Sequence, residues 1–186
     1  MKTVTYEEFL GFYSCWLKDA EKAKWLKEIG KRKESWTALD VLAFDEVEAK
    51  DRLCAVLREE FLPADLLHEY ACRCAEKALE HVDSPDPRGI AAITAKRQWL
   101  RGEITDEELA EARIAAWRAA VDSVDVTTLG ATASAAQAEA VSAARAAARD
   151  TALAVAWDEL LEMLIDLIKA KKAPDAAATA NERKSK

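Results

Sequence analysis

The side chains best suited to chemistry in this chain are its two histidines and four cysteines. His68, Cys72, Cys74 and His81 lie within one short stretch, and imidazole and thiolate are common zinc ligands. At about 100° per residue on a helix, His68 and Cys72 share one side, whereas Cys74 and His81 lie on nearly the opposite side. One helix therefore cannot direct all four at one ion. The alternative is a two-ligand half-site completed by Cys15 or Cys54.

The same residues offer little for catalysis. A nucleophilic Cys–His pair would have to combine Cys72 with His68, one turn apart on a single helix. The chain contains no G-x-x-x-x-G-K-[ST], G-x-G-x-x-G, G-x-S-x-G or H-E-x-x-H motif, so phosphate loops, nucleophile elbows and zinc-protease helices have no support. With 34 acidic residues, close carboxylate pairs are expected by chance. We therefore expect no enzymatic activity, no metal and no cofactor.

The cysteine positions favour a reducing compartment. Cys72 and Cys74 lie in one predicted helix, and Cys15 and Cys54 are distant in sequence, which is unlike a secreted disulfide framework. The apolar run 9–17 resembles a signal peptide, but two acidic residues precede it and no small-residue cleavage site follows. No window reaches the roughly 20 apolar residues that a membrane-spanning helix needs. We expect a soluble, cytoplasmic protein with free thiols.

The net charge of −7 is unevenly distributed along the chain. Residues 18–33 carry seven basic against three acidic side chains, and residues 171–186 carry five against two. Most of the remaining body is acidic, whereas binding to DNA or RNA depends on neutralising phosphates. We therefore expect that the protein binds neither nucleic acid nor a membrane directly. We expect a protein partner that is basic.

The elements that position these groups are predicted to be helices. Capping boxes at Thr5–Glu8 and Thr105–Glu108 mark two helix starts, Asp86 with Pro87 marks a third, and Gly102 ends the helix before it. This spacing predicts an all-α fold, an irregular bundle of seven to nine helices. Residues 1–172 are expected to form one domain. The predicted core contains four tryptophans, Trp36, Trp99, Trp117 and Trp157.

The C-terminal third of the chain is dominated by alanine. Residues 131–172 contain neither Gly nor Pro, which predicts one long alanine-rich helix after a turn at residues 126–130. From Pro174 onward no large apolar residue follows, so residues 173–186 are predicted to be a disordered basic tail.

The predicted helix at residues 105–124 has two apolar rows. Leu109, Ala112, Ala116 and Ala120 form one row at helical spacing. The second row consists of Ala110, Ile114, Trp117 and Val121. Two rows imply that the helix has neighbours on two sides.

Three segments resemble a known family. They are TALDVLAFDEVEAKDRLCAVLREEF (37–61), EYACRCAEKALEHVDSPDPR (69–88) and GEITDEELAEARIAAWRAA (102–120), followed by an alanine-rich helix. Together they resemble all-helical immunity proteins of polymorphic toxin systems, which phages and prophages also encode. The similarity covers about residues 35–170 and rests on packing and capping patterns. The resemblance implies neutralisation of a protein target and brings no active-site residues with it.

The leading hypothesis is a non-catalytic protein inhibitor, an immunity or phage counter-defence protein that binds a toxin or a host defence effector directly. Its candidate surfaces are acidic stripes and aromatic side chains that contact a partner: Asp158, Glu159, Glu162 and Asp166, the neighbouring Glu107, Glu108 and Glu111, and Trp16 or Trp25 where exposed. One alternative is a sponge for a nucleotide messenger, with phosphate contacts from residues 18–33. Another is a structural or oligomeric phage component that pairs through the alanine-rich helix.

Overall fold

The computed structural model describes residues 2–12, 20–30, 32–122, 126–153 and 155–184. Within these ranges it contains ten helices and two short strands, which confirms the all-α class. The contacts fall into two compact units, residues 1–62 and residues 63–186, and each unit is described by itself. The single domain over residues 1–172 stays a prediction.

The first unit combines a two-stranded sheet with four short helices. Its elements are β1 (Val4–Thr5), α1 (Tyr6–Phe12), α2 (Ala20–Gly30), β2 (Ser35–Trp36), α3 (Ala38–Leu42) and α4 (Ala49–Val56). The strands pair antiparallel with Val4 opposite Trp36, a sheet that the helical periodicity did not predict. Strands of two residues are too short to show an alternating pattern in the sequence.

Capping residues fix the helix starts of the first unit. The backbone N–H of Thr5 donates to the Glu8 carboxylate at 2.8 Å, and the N–H of Glu8 donates to the Thr5 hydroxyl at 3.3 Å, so the predicted capping box is confirmed. Thr37 and Asp40 form a second box at the start of α3. In the core, the Phe9 and Phe61 rings meet edge to face at 6.4 Å.

The second unit holds six helices. They are α5 (Ala64–Leu79), α6 (Pro87–Leu100), α7 (Asp106–Asp122), α8 (Val126–Ala135), α9 (Ala140–Thr151) and α10 (Trp157–Lys184). Helices α5, α8 and α9 pack against one another, α6 and α7 pack on each other and on α8, and α10 packs on α5. None of the helices in the described ranges is long and apolar enough to cross a membrane.

The prediction of one helix over residues 131–172 is wrong. The chain folds into three helices there, and the predicted turn at residues 126–130 is the first half of α8. The Glu139 carboxylate accepts from the N–H groups of Val141 and Ser142 at 2.9 and 2.6 Å, and this cap starts α9. Alanine's helix preference is only tenths of a kcal/mol per residue, whereas folding α9 against α8 and α5 buries its alanine face.

The second unit is built on small side chains. Six fully or almost fully buried alanines line α5 and α9: Ala71, Ala75, Ala143, Ala144, Ala147 and Ala148. Two buried hydroxyl groups connect the helices. The Tyr70 hydroxyl donates to the Leu160 carbonyl at 3.1 Å, and the Thr151 hydroxyl donates to the Cys74 carbonyl at 2.9 Å. Since alanines approach closely, the backbones of α5 and α9 lie near each other.

The prediction of a core built on four tryptophans is only partly correct. Trp36 is buried in the first unit, where its ring lies 5.1 Å from that of Phe44. Trp99 and Trp157 are half-buried. Trp117 is 58% exposed, so its assignment to the core is wrong.

The helix caps predicted for the second unit agree better with the structure than the predicted tryptophan core does. Asp86 caps α6 with Pro87 in its first turn, and Gly102 has φ +70° after its last residue, as predicted. The N–H of Thr105 donates to the Glu108 carboxylate at 2.8 Å, which confirms the capping box of α7. Helix α10 continues to Lys184, and the disorder of residues 173–186 stays a prediction.

Candidate functional site

Helix α7 divides its two apolar rows between the interior and the surface. Leu109, Ala116 and Ala120 are buried, with Leu109 and Ala116 packed among alanines of α6 and α8. The second row, which we call the outer row, consists of Ala110, Ile114, Trp117 and Val121. The capping box at Thr105 fixes where α7 begins and therefore which residues face outward.

The outer row lies at the surface of the second unit. Ile114, Trp117 and Val121 are 44%, 58% and 69% exposed, and Ala110 is half-buried. Helical spacing places these residues along one side of three consecutive turns. A contiguous row of large apolar side chains at the surface is typical of a surface that binds protein. Helices α6 and α8 both pack on α7, yet they leave most of the outer row exposed.

A pocket of about 280 Å³ lies beside the outer row, between α7 and α8. Its lining residues are Arg113, Ile114, Trp117, Ala133, Ser134 and Gln137. The Ser134 hydroxyl donates to the Asp150 carboxylate of α9 at 2.7 Å, which fixes one wall of the pocket. An apolar side chain from a binding partner could enter here, next to Trp117.

Charged residues flank the outer row in a defined order. Glu107 and Glu111 lie toward the N-terminus of α7, and Arg113 and Arg118 lie further along. All four are exposed, and none forms an ion pair with a described residue. Glu108, the third acidic candidate here, belongs to the capping box of the helix. The charges nearest the outer row are therefore available to a partner.

Helix α10 carries the other acidic stripe. Asp158, Glu159, Glu162 and Asp166 are all exposed, as expected for the wet side of this helix. The opposite side, with Leu160, Leu164 and Ile168, is buried, so the stripe rests on a well-packed helix. Glu159 forms an ion pair with Lys77 at 3.6 Å. The other three carboxylates have no ion-pair partner among the described residues, and we call them the acidic face of α10.

The structure does not join the two predicted acidic stripes. Helix α7 packs mainly on α6 and α8, whereas α10 packs mainly on α5. Of the two aromatic candidates, Trp16 lies outside the described residues. Trp25 belongs to α2, but its side chain also lies outside what the structure describes.

A buried polar cluster lies between α5 and α6. The Lys96 ammonium lies 4.1 Å from the centroid of the Trp99 ring and donates to the backbone carbonyl of Gln137. The His68 ring meets Trp99 edge to face at 5.6 Å, and its Nδ1 has no hydrogen-bond partner among the described residues. Burial lowers the pKa of Lys96 to about 8 and that of His68 to about 4.

The thiols near this cluster are poorly suited to reaction or to metal binding. Burial raises the pKa of Cys72 to about 11 and that of Cys74 to about 12, so both stay protonated at neutral pH. His81 is exposed, and its Nδ1 lies 3.0 Å from the Lys77 carbonyl. Among the described residues no three His, Cys, Asp or Glu side chains are placed to hold a metal ion. The four zinc candidates are thus not brought together.

A second pocket, of about 510 Å³, opens in the first unit. Its lining residues include one basic and three acidic side chains, Arg32, Asp40, Asp45 and Glu46. Arg32 already pairs with Glu46 at 3.5 Å, and Asp40 pairs with Lys33 at 2.7 Å. This excess of carboxylates is unfavourable for a phosphate group.

The sequence analysis identified the outer row but expected a neighbouring element to cover it, whereas Ile114, Trp117 and Val121 are exposed. The row has the spacing four, three, four in α7, the pattern of an apolar seam between paired helices. The sequence analysis counted Trp117 as core because a large aromatic residue is usually buried. What the sequence did not show is that Leu109 and a few alanines would be enough to fill the inner side of α7.

Comparisons with protein-family models, with curated proteins and with solved structures give no match to this chain. The resemblance to immunity proteins therefore rests on the three sequence segments and stays a prediction. The functional argument depends on the surfaces of α7 and α10.

Proposed function

We propose that this protein is a non-catalytic inhibitor that acts by binding another protein, as an immunity or phage counter-defence protein that neutralises a toxin or a host effector. The observation that carries the proposal is the acidic face of α10. Asp158, Glu162 and Asp166 are exposed and unpaired within the described residues, on a helix whose opposite side is buried. A basic target would gain ion pairs without any rearrangement of the helix.

Charge of this kind acts mainly on the rate and the selectivity of binding. An acidic surface attracts a basic partner over about a Debye length, roughly 8–10 Å at physiological salt, and repels acidic proteins. Affinity usually comes from a few buried apolar or aromatic side chains. The outer row of α7 shows that this chain also exposes side chains of that type.

The interior of the second unit supports binding rather than catalysis. Lys96, His68, Cys72 and Cys74 are the groups with the largest described pKa shifts toward the neutral form, and all four are buried. None of them lines either described pocket. The shifts follow from desolvation in a packed core, so they need no catalytic explanation.

The messenger-sponge alternative gains no support from the first unit. Its described pocket contains three carboxylates and one arginine that already has an acidic partner. Binding a phosphate there would bring its charge close to carboxylates of the same sign. A protein target for the acidic face of α10 is therefore the better proposal.

The test is affinity capture from extracts of the native host at two salt concentrations. The acid-reversed variant carries Asp158→Lys, Glu162→Lys and Asp166→Lys. A control variant carries Glu59→Lys, Glu60→Lys and Asp83→Lys, three exposed acids elsewhere. Both variants change the net charge equally, so the control separates the position of the charge from its amount.

We expect a specific partner that binds the wild type and the control, and binds the acid-reversed variant at least tenfold more weakly. The remaining binding should depend less on salt, because fewer ion pairs contribute. Equal capture of the same partner by all three chains, or equal loss with the control, would contradict the proposal.

A further inference from the structure

We propose that the outer row of α7 binds the outer row of a second copy of this chain, with the two helices antiparallel. The inference goes beyond the proposed function, since it concerns α7 and is independent of what the acidic face of α10 binds. It rests on three observations, namely the spacing of the outer row, its exposure, and the order of charges beside it.

The spacing of the outer row is that of a helix–helix seam. Ala110, Ile114, Trp117 and Val121 follow one another by four, three and four residues, as d, a, d and a positions of a heptad do. In an antiparallel pair, an a position of one helix meets a d position of the other. Ile114 then packs against Trp117 of the second copy, and Val121 packs against Ala110.

The charges beside the seam select the second copy as the occupant. Glu111 and Arg118 take the e positions, and in an antiparallel pair the e positions of the two helices face each other. Glu111 of each copy therefore meets Arg118 of the other, which gives two symmetric ion pairs. The two residues are exposed and have no ion-pair partner among the described residues.

The same charges oppose a parallel pair. In that arrangement g positions face e positions, so Arg113 would meet Arg118, and Asp106 would meet Glu111. Both contacts would join like charges. The pattern is therefore self-complementary in one orientation only, as a two-fold symmetric interface requires.

The pocket beside the seam suits such a pair. It is lined by Ile114 and Trp117 together with α8 residues, and it lies on the side of the seam where Arg113 projects. A side chain of the second copy can enter it as a knob enters a hole between helices. A single short seam buries less than the roughly 1,200 Å² of most stable complexes, so the dimer should be weak and concentration-dependent.

The test uses two single charge reversals and their mixture. Glu111→Arg places Arg opposite Arg118 in its own dimer, and Arg118→Glu places Glu opposite Glu111. Mixing the two variants restores both ion pairs in a heterodimer. Glu60→Arg, an exposed reversal in the first unit, is the matched control. Sedimentation velocity over a protein concentration series gives the dimer affinity, and native mass spectrometry distinguishes the heterodimer by mass.

We expect the wild type and Glu60→Arg to dimerise equally. Each single reversal on α7 should weaken its own dimer about tenfold, because two exposed ion pairs become two like-charge contacts. The equimolar mixture should recover wild-type affinity as a heterodimer. Trp117→Ser should weaken dimerisation even more, with an unchanged helical circular dichroism spectrum.

Three results would overturn the inference. The first is a wild type that stays monomeric throughout the concentration series. The second is a mixture that forms no more dimer than its components. The third is a stronger dimer with Glu111→Arg, because in a parallel pair this change would place Arg opposite Asp106. None of these results bears on the capture experiment with α10, so the two proposals can fail separately.

Discussion

Helices α9 and α7 are both rich in alanine, but they differ in where their other apolar side chains lie. In α9, Ala143, Ala144, Ala147 and Ala148 are buried where the helix meets α5 and α8. In α7 the alanines Ala116 and Ala120 also face inward, together with Leu109, but Ile114, Trp117 and Val121 are exposed. Alanines thus form much of the buried side of both helices, whereas three large apolar side chains of α7 are left at the surface.

This difference shows which side chains folding uses. Burying a large apolar side chain completely contributes about 1.5–3 kcal/mol, and a half-exposed one contributes only part of this. Folding of the isolated chain gains only a small part of this free energy from Trp117 and Val121, since both are more than half exposed. Association with another chain can bury Trp117 and Val121 further. The alanines of α9 are already buried, so association gains nothing from them.

The largest effect should come from enlarging a buried alanine of α9. Ala147 is completely buried, and a leucine there must push α9 away from its neighbours. We expect Ala147→Leu to lower the free energy of unfolding by about 1–3 kcal/mol or more, because close-packed interiors do not accept added methyl groups. Urea unfolding monitored by circular dichroism measures the change.

Ala91→Leu on α6 is the matched control for this prediction. Ala91 is exposed, and leucine and alanine have similar helix preferences, so its stability should stay within about 0.5 kcal/mol of the wild type. If both variants lost the same stability, the contrast between a closed interior of small side chains and a free surface would be wrong.

The features that the sequence predicted correctly are mostly local. Thr5 with Glu8, Asp86 with Pro87, and Gly102 act within one turn of chain, so their roles depend little on distant residues. The exposure of the acidic stripe on α10 followed from periodicity alone. The short sheet escaped prediction, because a two-residue strand exists only through its pairing with a distant strand.

The break in the alanine-rich run could not be predicted for a related reason. Alanine recurs throughout this run and neither Gly nor Pro interrupts it, so tertiary packing decides where the chain turns back. Glu139 reads in the sequence as a good helix interior residue, yet it caps α9. The exposure of the outer row was not predicted, because the burial of Ile114 and Trp117 depends on which side chains fill the inner side of α7.

A smaller effect with a distinct pH dependence should come from Lys96. Its folded-state pKa of about 8 lies below the ordinary lysine value of 10.5, because burial disfavours the ammonium form. Below pH 8 the buried, charged Lys96 therefore lowers the free energy of unfolding. Between pH 8 and 10.5 the folded state releases its proton before the unfolded state does, so stability should rise with pH.

Lys96→Met removes the charge and keeps most of the side-chain length. We expect the variant to be more stable than the wild type at pH 7 by on the order of 1–3 kcal/mol, less any contribution lost with the bond to the Gln137 carbonyl. The difference between the two proteins should shrink as the pH rises to about 10. Lys24→Met, at an exposed position, serves as the control and should show no such trend. The burial argument would be contradicted if the stability advantage of Lys96→Met over the wild type stayed constant or grew as the pH rises.

The smallest effect on folding should come from Trp117, where the comparison between α9 and α7 is most direct. Trp117→Ser removes a large aromatic group, and in a closed interior such a loss costs about 3–5 kcal/mol. Because this side chain is 58% exposed, we expect a change below about 1 kcal/mol at protein concentrations of about 1 μM, where a weak dimer has dissociated. At a hundredfold higher concentration the wild-type melting temperature should rise through dimer formation, whereas that of the variant should not. A large loss at low concentration would place Trp117 in the folding core after all. Equal concentration dependence in the two proteins would show that the outer row does not carry the association.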